Sequence, residues 1–291
     1  MKKTIAIQGI KGAFHHEAAA LYYREAFDIY ECMNFHELID VVESGKATQA
    51  VMAIENSLVG SMLPNLAIIR KSTLHIVGEI YMRISQNLVA LPGETLQSLR
   101  EVHSHPMAIM QCERFFHQYP DIRLVESADT ALSAREIRED NLTGIGAIAS
   151  ESAAKIYGLD ILAPSVETNK KNYTRFLILG HNGHTIDPTI SVKASVAFVA
   201  PHVPGSLAAV LQQLAQEEVN LSMIQSLPLV GANWEYIFHA DMIFRDIAHA
   251  RMIISELRKT LQAIWVMGIY PMSPEIADSK ESAILADQTS L

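Results

Sequence analysis

The chain is poor in cysteine, in basic charge and in long apolar runs, and each shortage excludes a class of protein. Its two cysteines, Cys32 and Cys112, lie far apart and in no metal-ligand spacing, so neither a disulfide framework nor a zinc module is indicated. Both read as core thiols of a reducing, cytoplasmic compartment. No apolar run approaches the roughly 20 residues that a membrane-spanning helix needs. The opening Met1-Lys2-Lys3 leads into an apolar stretch that soon breaks, with no small-residue cleavage site behind it, and reads as a first strand. A net charge of -9 leaves no dense basic face with which to displace counterions from nucleic acid. G-x-S-x-G, H-E-x-x-H and Walker loops are missing as well, which removes the familiar hydrolase, zinc-protease and nucleotide-binding signatures.

What is present is a globular composition, 49% hydrophobic and 19% charged, over a length that suggests two domains. Through about residue 180 short β-rich runs alternate with helical periodicity, the pattern of an α/β domain with a mostly parallel sheet. Four junctions stand out. Residues 5–8 lead through Gly9-Ile10-Lys11-Gly12 into a helix, a tight turn that lacks the spacing of a dinucleotide fingerprint. The buried-strand run 50–54 ends in Glu55-Asn56-Ser57 and Gly60. Val102-His103-Ser104-His105 precedes Pro106, well placed for the first turn of a helix. Residues 145–149 lead through Ser150-Glu151-Ser152 into a helix at 153–157. Ligands of open α/β sheets bind beyond the carboxyl ends of the strands, so these junctions are expected to converge on a cleft. His103 and His105 share a strand face but have no third ligand at recognisable spacing, so no metal is expected. The pair His15-His16 fits either a surface turn or the cleft.

Residues 181–188, rich in Gly, His and Pro, read as a linker. Beyond them the predicted order is strand 193–200, helix 205–217, strand 219–227, strand 234–242, helix 247–261 and strand 264–270, a ferredoxin-like βαββαβ unit. The tail, residues 274–291, offers no partner element and is expected to be mobile, although Ile284 and Leu285 are candidates to dock on a neighbour.

Asn172-x-Thr174-Arg175-Phe176 resembles the signature of the prephenate dehydratase family. So do Gly12-Ala13-Phe14-x-His16, Ile54-Glu55-Asn56-Ser57-x-x-Gly60 and Ser104-His105-Pro106-x-Ala108-x-x-Gln111-Cys112. The second segment is similar to the family's ACT regulatory module at Pro204-Gly205-Ser206-Leu207, Asn220-Leu221, Trp234-Glu235-Tyr236 and Gly268-x-Tyr270-Pro271. Ala53 and Met107 stand where that family more often has Pro and Gln.

The resemblance implies a catalytic domain over residues 1–182, two-lobed like type II periplasmic binding proteins. Lobe one would comprise 1–82 and 165–181, lobe two 83–164, and an ACT domain would follow at 191–273. It further implies decarboxylative dehydration of prephenate to phenylpyruvate without a cofactor. Thr174 would donate toward the departing hydroxyl, Asn56, Ser104 and Gln111 would orient the substrate, and Arg175 would hold the side-chain carboxylate. Glu55, Ser57, His105 and Phe176 would complete the substrate site. Glu55 or a histidine could supply the proton that Thr174 passes on. L-Phenylalanine would act as effector, held by Gly205, Ser206, Leu207, Ala208 and Asn220 and by Gln225-Ser226-Leu227-Pro228, where the family usually has Glu-Ser-Arg-Pro. Pairing of ACT sheets would give a homodimer or homotetramer. Arogenate as substrate, and a non-catalytic amino-acid sensor, stay open as alternatives.

Overall fold

The computed structural model describes residues 3–181, 185–228 and 236–273. Part of the expected linker, Trp234 and Glu235 of the expected third C-terminal strand, and the tail from residue 274 lie outside these. The chain forms two compact units, Met1–Met62 with Tyr81–Phe176, and Leu63–Ile80 with Leu177–Leu291. Up to residue 180 the elements are β1 (Lys3–Gln8), α1 (Phe14–Tyr23), β2 (Phe27–Cys32), α2 (Phe35–Glu43), β3 (Gln49–Asn56), β4 (Gly60–Ser61), α3 (Leu63–Lys71) and β5 (His75–Arg83). They continue with β6 (Asn87–Ala90), β7 (Glu101–Ser104), α4 (Pro106–Phe116), β8 (Arg123–Glu126), α5 (Thr130–Glu139), β9 (Ile145–Ala149), α6 (Glu151–Tyr157), β10 (Asp160–Ala163) and β11 (Tyr173–Gly180).

Two sheets result. One has the order β2-β1-β3-β11-β5, with β4 paired to β3, and both β5 and β11 contribute residues to each unit. The other, in the first unit, has the order β10-β6-β9-β7-β8. The pairs β1–β2, β1–β3, β7–β8 and β7–β9 are parallel, as the alternation of strands and helices predicts. Parallel strands are covered on both faces and so read as unbroken apolar runs, which is why Ile5 to Ile7 and Ala50 to Ile54 are all buried. Cys32 and Cys112 lie in the core, where burial pushes both thiols up to about 12.

The second unit ends the chain with β12 (Val192–Val199), α7 (Ser206–Gln216), β13 (Asn220–Pro228), β14 (Tyr236–Phe244), α8 (Ile247–Thr260) and β15 (Ala263–Pro271). This is the βαββαβ order read from the sequence, in an antiparallel sheet ordered β13-β14-β12-β15. Val210 and Leu214 of α7 and Ala250, Ile254 and Leu257 of α8 pack with Val192, Ala194, Val196 and Phe198 in one core. Strand alternation sends Lys193 and Ser195 to the opposite face, together with His239 and Asp241 of β14.

On that second face Lys193, Ser195, His239, Asp241 and Tyr270 form a buried polar patch. Lys193 Nζ pairs with Glu79 at 2.8 Å, the Ser195 hydroxyl bonds Asp241 and lies 2.7 Å from the Tyr270 hydroxyl, and Ser273 N–H donates to Glu79 at 3.3 Å. Gly268 of β15 lies so close to β5 that a Cβ there would fall 2.2 Å from the Ile76 carbonyl oxygen. Residues 63–80, expected in lobe one, therefore group with the C-terminal unit. A buried lysine on an otherwise uncovered sheet face needs a carboxylate over it, and Glu79 provides one.

Candidate functional site

Within the first unit a cavity of about 310 Å³ opens where three strand-to-helix junctions meet the ends of β3 and β11. The β1–α1 turn contributes Gln8, Ala13, Phe14 and His15. The β7–α4 junction contributes His105, Met107 and Ala108. The β8–α5 junction contributes Ala128, Asp129 and Thr130. Each junction aims a helix N-terminus at the cavity, and such ends favour negative charge. At α4 the His105 ring accepts the Met107 N–H at 3.2 Å, and at α5 Asp129 accepts those of Ala131 and Leu132 at 2.9 and 3.0 Å. At α1 the N-cap is Ala13, which supplies no side-chain acceptor.

Opposite these ends runs a chain of neutral polar groups. Asn56 is fixed by its own backbone turn, its Oδ1 accepting the N–H groups of Leu58 and Val59 at 2.9 and 3.1 Å. Its Nδ2 then donates to Asn172 Oδ1 at 2.8 Å and to Thr174 Oγ1 at 2.9 Å. Asn172 in turn donates to Gln111 Oε1 at 3.0 Å. Because the Thr174 oxygen already accepts the amide proton, its own hydrogen is left to point elsewhere, and the chain polarises the hydroxyl as a donor. Phe176, two residues further on the same strand face, forms an apolar wall with its ring edge-on to His15 at 5.2 Å.

The same alternation moves Arg175 away from the cavity. It is buried, its Nη1 lies 3.9 Å from Glu55 Oε2, and its guanidinium sits over the Tyr81 ring at 5.8 Å. Neither Arg175 nor Glu55 lines the cavity, so the cleft position expected for Arg175 is not what the strand geometry gives. Ser104 also falls outside the lining: it is fully buried and donates to the Ile148 carbonyl at 2.7 Å, bracing β7 against β9. Ser57 is exposed and ties the chain to the start of β11, donating to the Lys171 carbonyl at 2.9 Å and accepting the Tyr173 N–H at 3.0 Å. Thr174, Asn56, Gln111, Phe176 and His105 do meet at the cavity.

Three polar lining residues, Gln86, Asp129 and Thr130, were not singled out from the sequence. Gln86 begins the chain's entry into β6, and Asp129 with Thr130 belongs to a fifth junction, whose signal is an Asp N-cap placed before a helical repeat. His15 resolves the ambiguity of the histidine pair: His15 lines the cavity, whereas His16 Nδ1 accepts the Gly12 N–H at 3.1 Å and closes the glycine turn.

Burial lowers the pKa of His15 to about 4, and in the second unit it lowers that of His239, whose ring nitrogens have no hydrogen-bond partner among the described residues, to about 4 as well. Both rings are neutral when folded and take up a proton near pH 6.5 when unfolded. Their stabilisation is complete above pH 6.5 and declines as the pH falls toward 4, with a slope of up to about 1.4 kcal/mol per pH unit for each ring. Urea midpoints measured at pH 7 and pH 5 should therefore fall, and the drop should shrink in a His239→Phe variant. Equal pH dependence in the variant and the wild type would contradict the assignment for His239.

Residues 5–184 match the model of an enzyme family, the one described as "Prephenate dehydratase". An Arabidopsis thaliana relative, "Arogenate dehydratase/prephenate dehydratase 2, chloroplastic", is 34% identical over 92% of this chain and 72% of its own. The structure of a prephenate dehydratase from Arthrobacter aurescens in complex with L-Phe superimposes with a TM-score of 0.82, at 26% identity, over 99% of this chain and 100% of that one. A structure described as GqqA, a novel type of quorum quenching acylase, has a TM-score of 0.83 and 31% identity over 94% and 99% of the two chains. The chain belongs to the prephenate dehydratase family. Among the described residues no helix is long and apolar enough to cross a membrane.

Proposed function

We infer that the protein removes carbon dioxide and water from prephenate to give phenylpyruvate, a step toward phenylalanine. The observation that carries this reading is the amide chain Gln111–Asn172–Asn56 ending on the Thr174 hydroxyl at the cavity wall. In the reaction the bond from the ring to its carboxylate breaks, the electron pair enters the ring, and the ring hydroxyl leaves as water after accepting a proton. Aromatisation drives the step, so the site must mainly orient the substrate and assist the leaving group. Thr174 is the donor to that hydroxyl, and Asn56 and Gln111 keep the donor aligned. The uncapped start of α1 suits a substrate carboxylate. Arg175 acts with Glu55 as a brace for β11 rather than as a carboxylate fork, and Ser104 and Ser57 act as scaffold. The catalytic region corresponds to residues 1–182, with its two lobes built on the two sheets.

The βαββαβ segment at 191–273 is read as the regulatory ACT domain. A cavity of about 530 Å³ there is lined by Gly205, Ser206, Leu207 and Ala208 at the start of α7, with Tyr236 and Phe238 opposite. Gly205 offers no side-chain cap, which leaves that helix end open to the carboxylate of phenylalanine. Asn220 and Gln225 to Pro228 lie on β13, an edge strand outside this lining. They would complete the site from a second copy, in a homodimer or a tetramer built from two such pairs. Binding of L-Phe by the Arthrobacter aurescens protein supports the choice of effector.

The test is to incubate purified protein with prephenate, follow phenylpyruvate, and add phenylalanine to a parallel reaction. Turnover slowed by phenylalanine is expected. Turnover of an acyl amide in place of prephenate would favour the chemistry named for GqqA. That reading has less support, since Ser104 is committed to a carbonyl and both cysteines are buried. Binding of prephenate without turnover would favour a sensor.

A further inference from the structure

The ring of His15 is fixed in the cavity wall, and one of its nitrogens is left unused. It packs against Phe35 and Phe176, with ring centroids 5.7 and 5.2 Å away, and its Nε2 accepts the Ala53 N–H of β3 at 3.3 Å. Burial keeps the ring neutral at pH 7, and a neutral imidazole carries a single ring hydrogen. With Nε2 accepting, that hydrogen is on Nδ1, which makes no hydrogen bond among the described residues. His15 therefore presents an N–H donor without a positive charge.

The direction of β11 indicates what that donor would meet. Asn172, Thr174 and Phe176 follow one another on one face of the chain, successive ones about 6.6 Å apart. Gln111 adjoins Asn172 at one end of this row, and the His15 ring adjoins Phe176 at the other. A cyclohexadiene ring is apolar on its faces and belongs against Phe176 rather than against the amides of Asn172 and Gln111. In prephenate the hydroxyl and the carbon that bears the carboxylate and the pyruvyl group occupy opposite ends of that ring. With the hydroxyl at Thr174 and the ring beside Phe176, the acidic end reaches His15. No lysine or arginine lines the cavity, so neutral donors must hold this end. Asp129 is the acidic member of the lining, and its Oδ1 is committed to two N–H groups of α5. Its Oδ2 makes no hydrogen bond among the described residues and lies against Gly9, in space that a Cβ at Gly9 would enter to within 3.1 Å. The charge of Asp129 turns a substrate carboxylate away from that side and toward His15.

We propose that His15 is a substrate-binding residue that donates from Nδ1 to the carboxylate of the pyruvyl side chain of prephenate. The inference rests on the dehydratase reading above. Of the two carboxylates, the one on the ring loses its charge as carbon dioxide leaves, and a donor held on it would stabilise the ground state more than the transition state. The pyruvyl carboxylate keeps its charge from substrate to product. A contact with it therefore binds substrate, transition state and product alike, and acts on KM rather than on kcat.

The experiment measures kcat, KM for prephenate and the inhibition constant of phenylpyruvate in the full-length wild type, in His15→Phe and in His15→Asn. The phenyl ring keeps the packing against Phe35 and Phe176 but has no donor, whereas the asparagine amide places an N–H near the position of Nδ1. His15→Leu is the second donor-free variant should His15→Phe not fold. In His15→Phe, KM should rise about tenfold or more, as the loss of one hydrogen bond to a charged group implies. Inhibition by phenylpyruvate should weaken by a similar factor, since the product keeps only the pyruvyl carboxylate, and kcat should fall less than KM rises. His15→Asn should recover most of both losses. A smaller rise in KM overturns the proposal, and so does a raised KM with unaltered inhibition by phenylpyruvate, which would put the donor on the ring carboxylate. Failure of His15→Asn to recover either constant also overturns it and leaves His15 a packing residue. A wild type that leaves prephenate unconverted would instead overturn the dehydratase reading itself.

Discussion

Thr174→Ala should lower kcat by about 10² or more while KM changes little, and Thr174→Ser should restore much of the loss. The expectation follows from the direction of the hydrogen bonds. Asn56 Nδ2 donates to the Thr174 oxygen at 2.9 Å and is itself locked by the Leu58 and Val59 amides. The hydroxyl hydrogen is therefore free for the departing group, a contact that strengthens as negative charge develops on that oxygen. A positioned proton donor contributes typically 10² to 10⁴-fold, and 10²-fold corresponds to about 2.7 kcal/mol of barrier. An interaction made chiefly in the transition state appears in kcat and in kcat/KM equally. Steady-state kinetics on the folded variant check this. A near-normal kcat would remove Thr174 from the mechanism, and an effect confined to KM would make it a binding group only.

Glu79→Ala should destabilise the second unit by about 3–5 kcal/mol, because it removes a carboxylate held 2.8 Å from the fully buried Lys193 ammonium. Domains are stable by only about 5–15 kcal/mol in total, so this single change approaches the margin for folding. The loss should come chiefly from the desolvation of the ammonium, which Glu79 offsets. Lys193→Met combined with Glu79→Leu should then recover most of the stability, since apolar side chains of similar size remove both charges at once. Denaturant unfolding of the two variants, read by far-ultraviolet circular dichroism, separates the cases. A single variant within 1 kcal/mol of wild type would show that the pair is not desolvated as the structure has it.

The sequence alone determined the α/β alternation, the βαββαβ order of the C-terminal unit and part of the cavity wall. These features are local. Parallel strands covered on both faces must be continuously apolar, helix starts carry caps, and polar groups stranded at strand ends have few reasons to be there except a cleft. Asn56, Gln111, Thr174 and Phe176 were legible for that reason, with the family's motifs supplying their roles. What the sequence left open depended on direction and on distant partners. Thr174 and Arg175 are neighbours in the chain, yet a strand turns successive side chains to opposite faces, so one lines the cavity and the other pairs with Glu55. Ser104 and Ser57 sit in conspicuous motifs, but their hydroxyls satisfy backbone groups 44 and 114 residues away. Lys193 only opens a predicted strand in the sequence, and the partner over it, Glu79, is also 114 residues away. Asp129 escaped notice because an N-cap aspartate is common. Only the tertiary structure, by placing its free oxygen against Gly9 at the cavity wall, separates that aspartate from every other helix cap, since exposure of one carboxylate oxygen to a shared cavity is a property of packing and leaves no periodic trace in the chain.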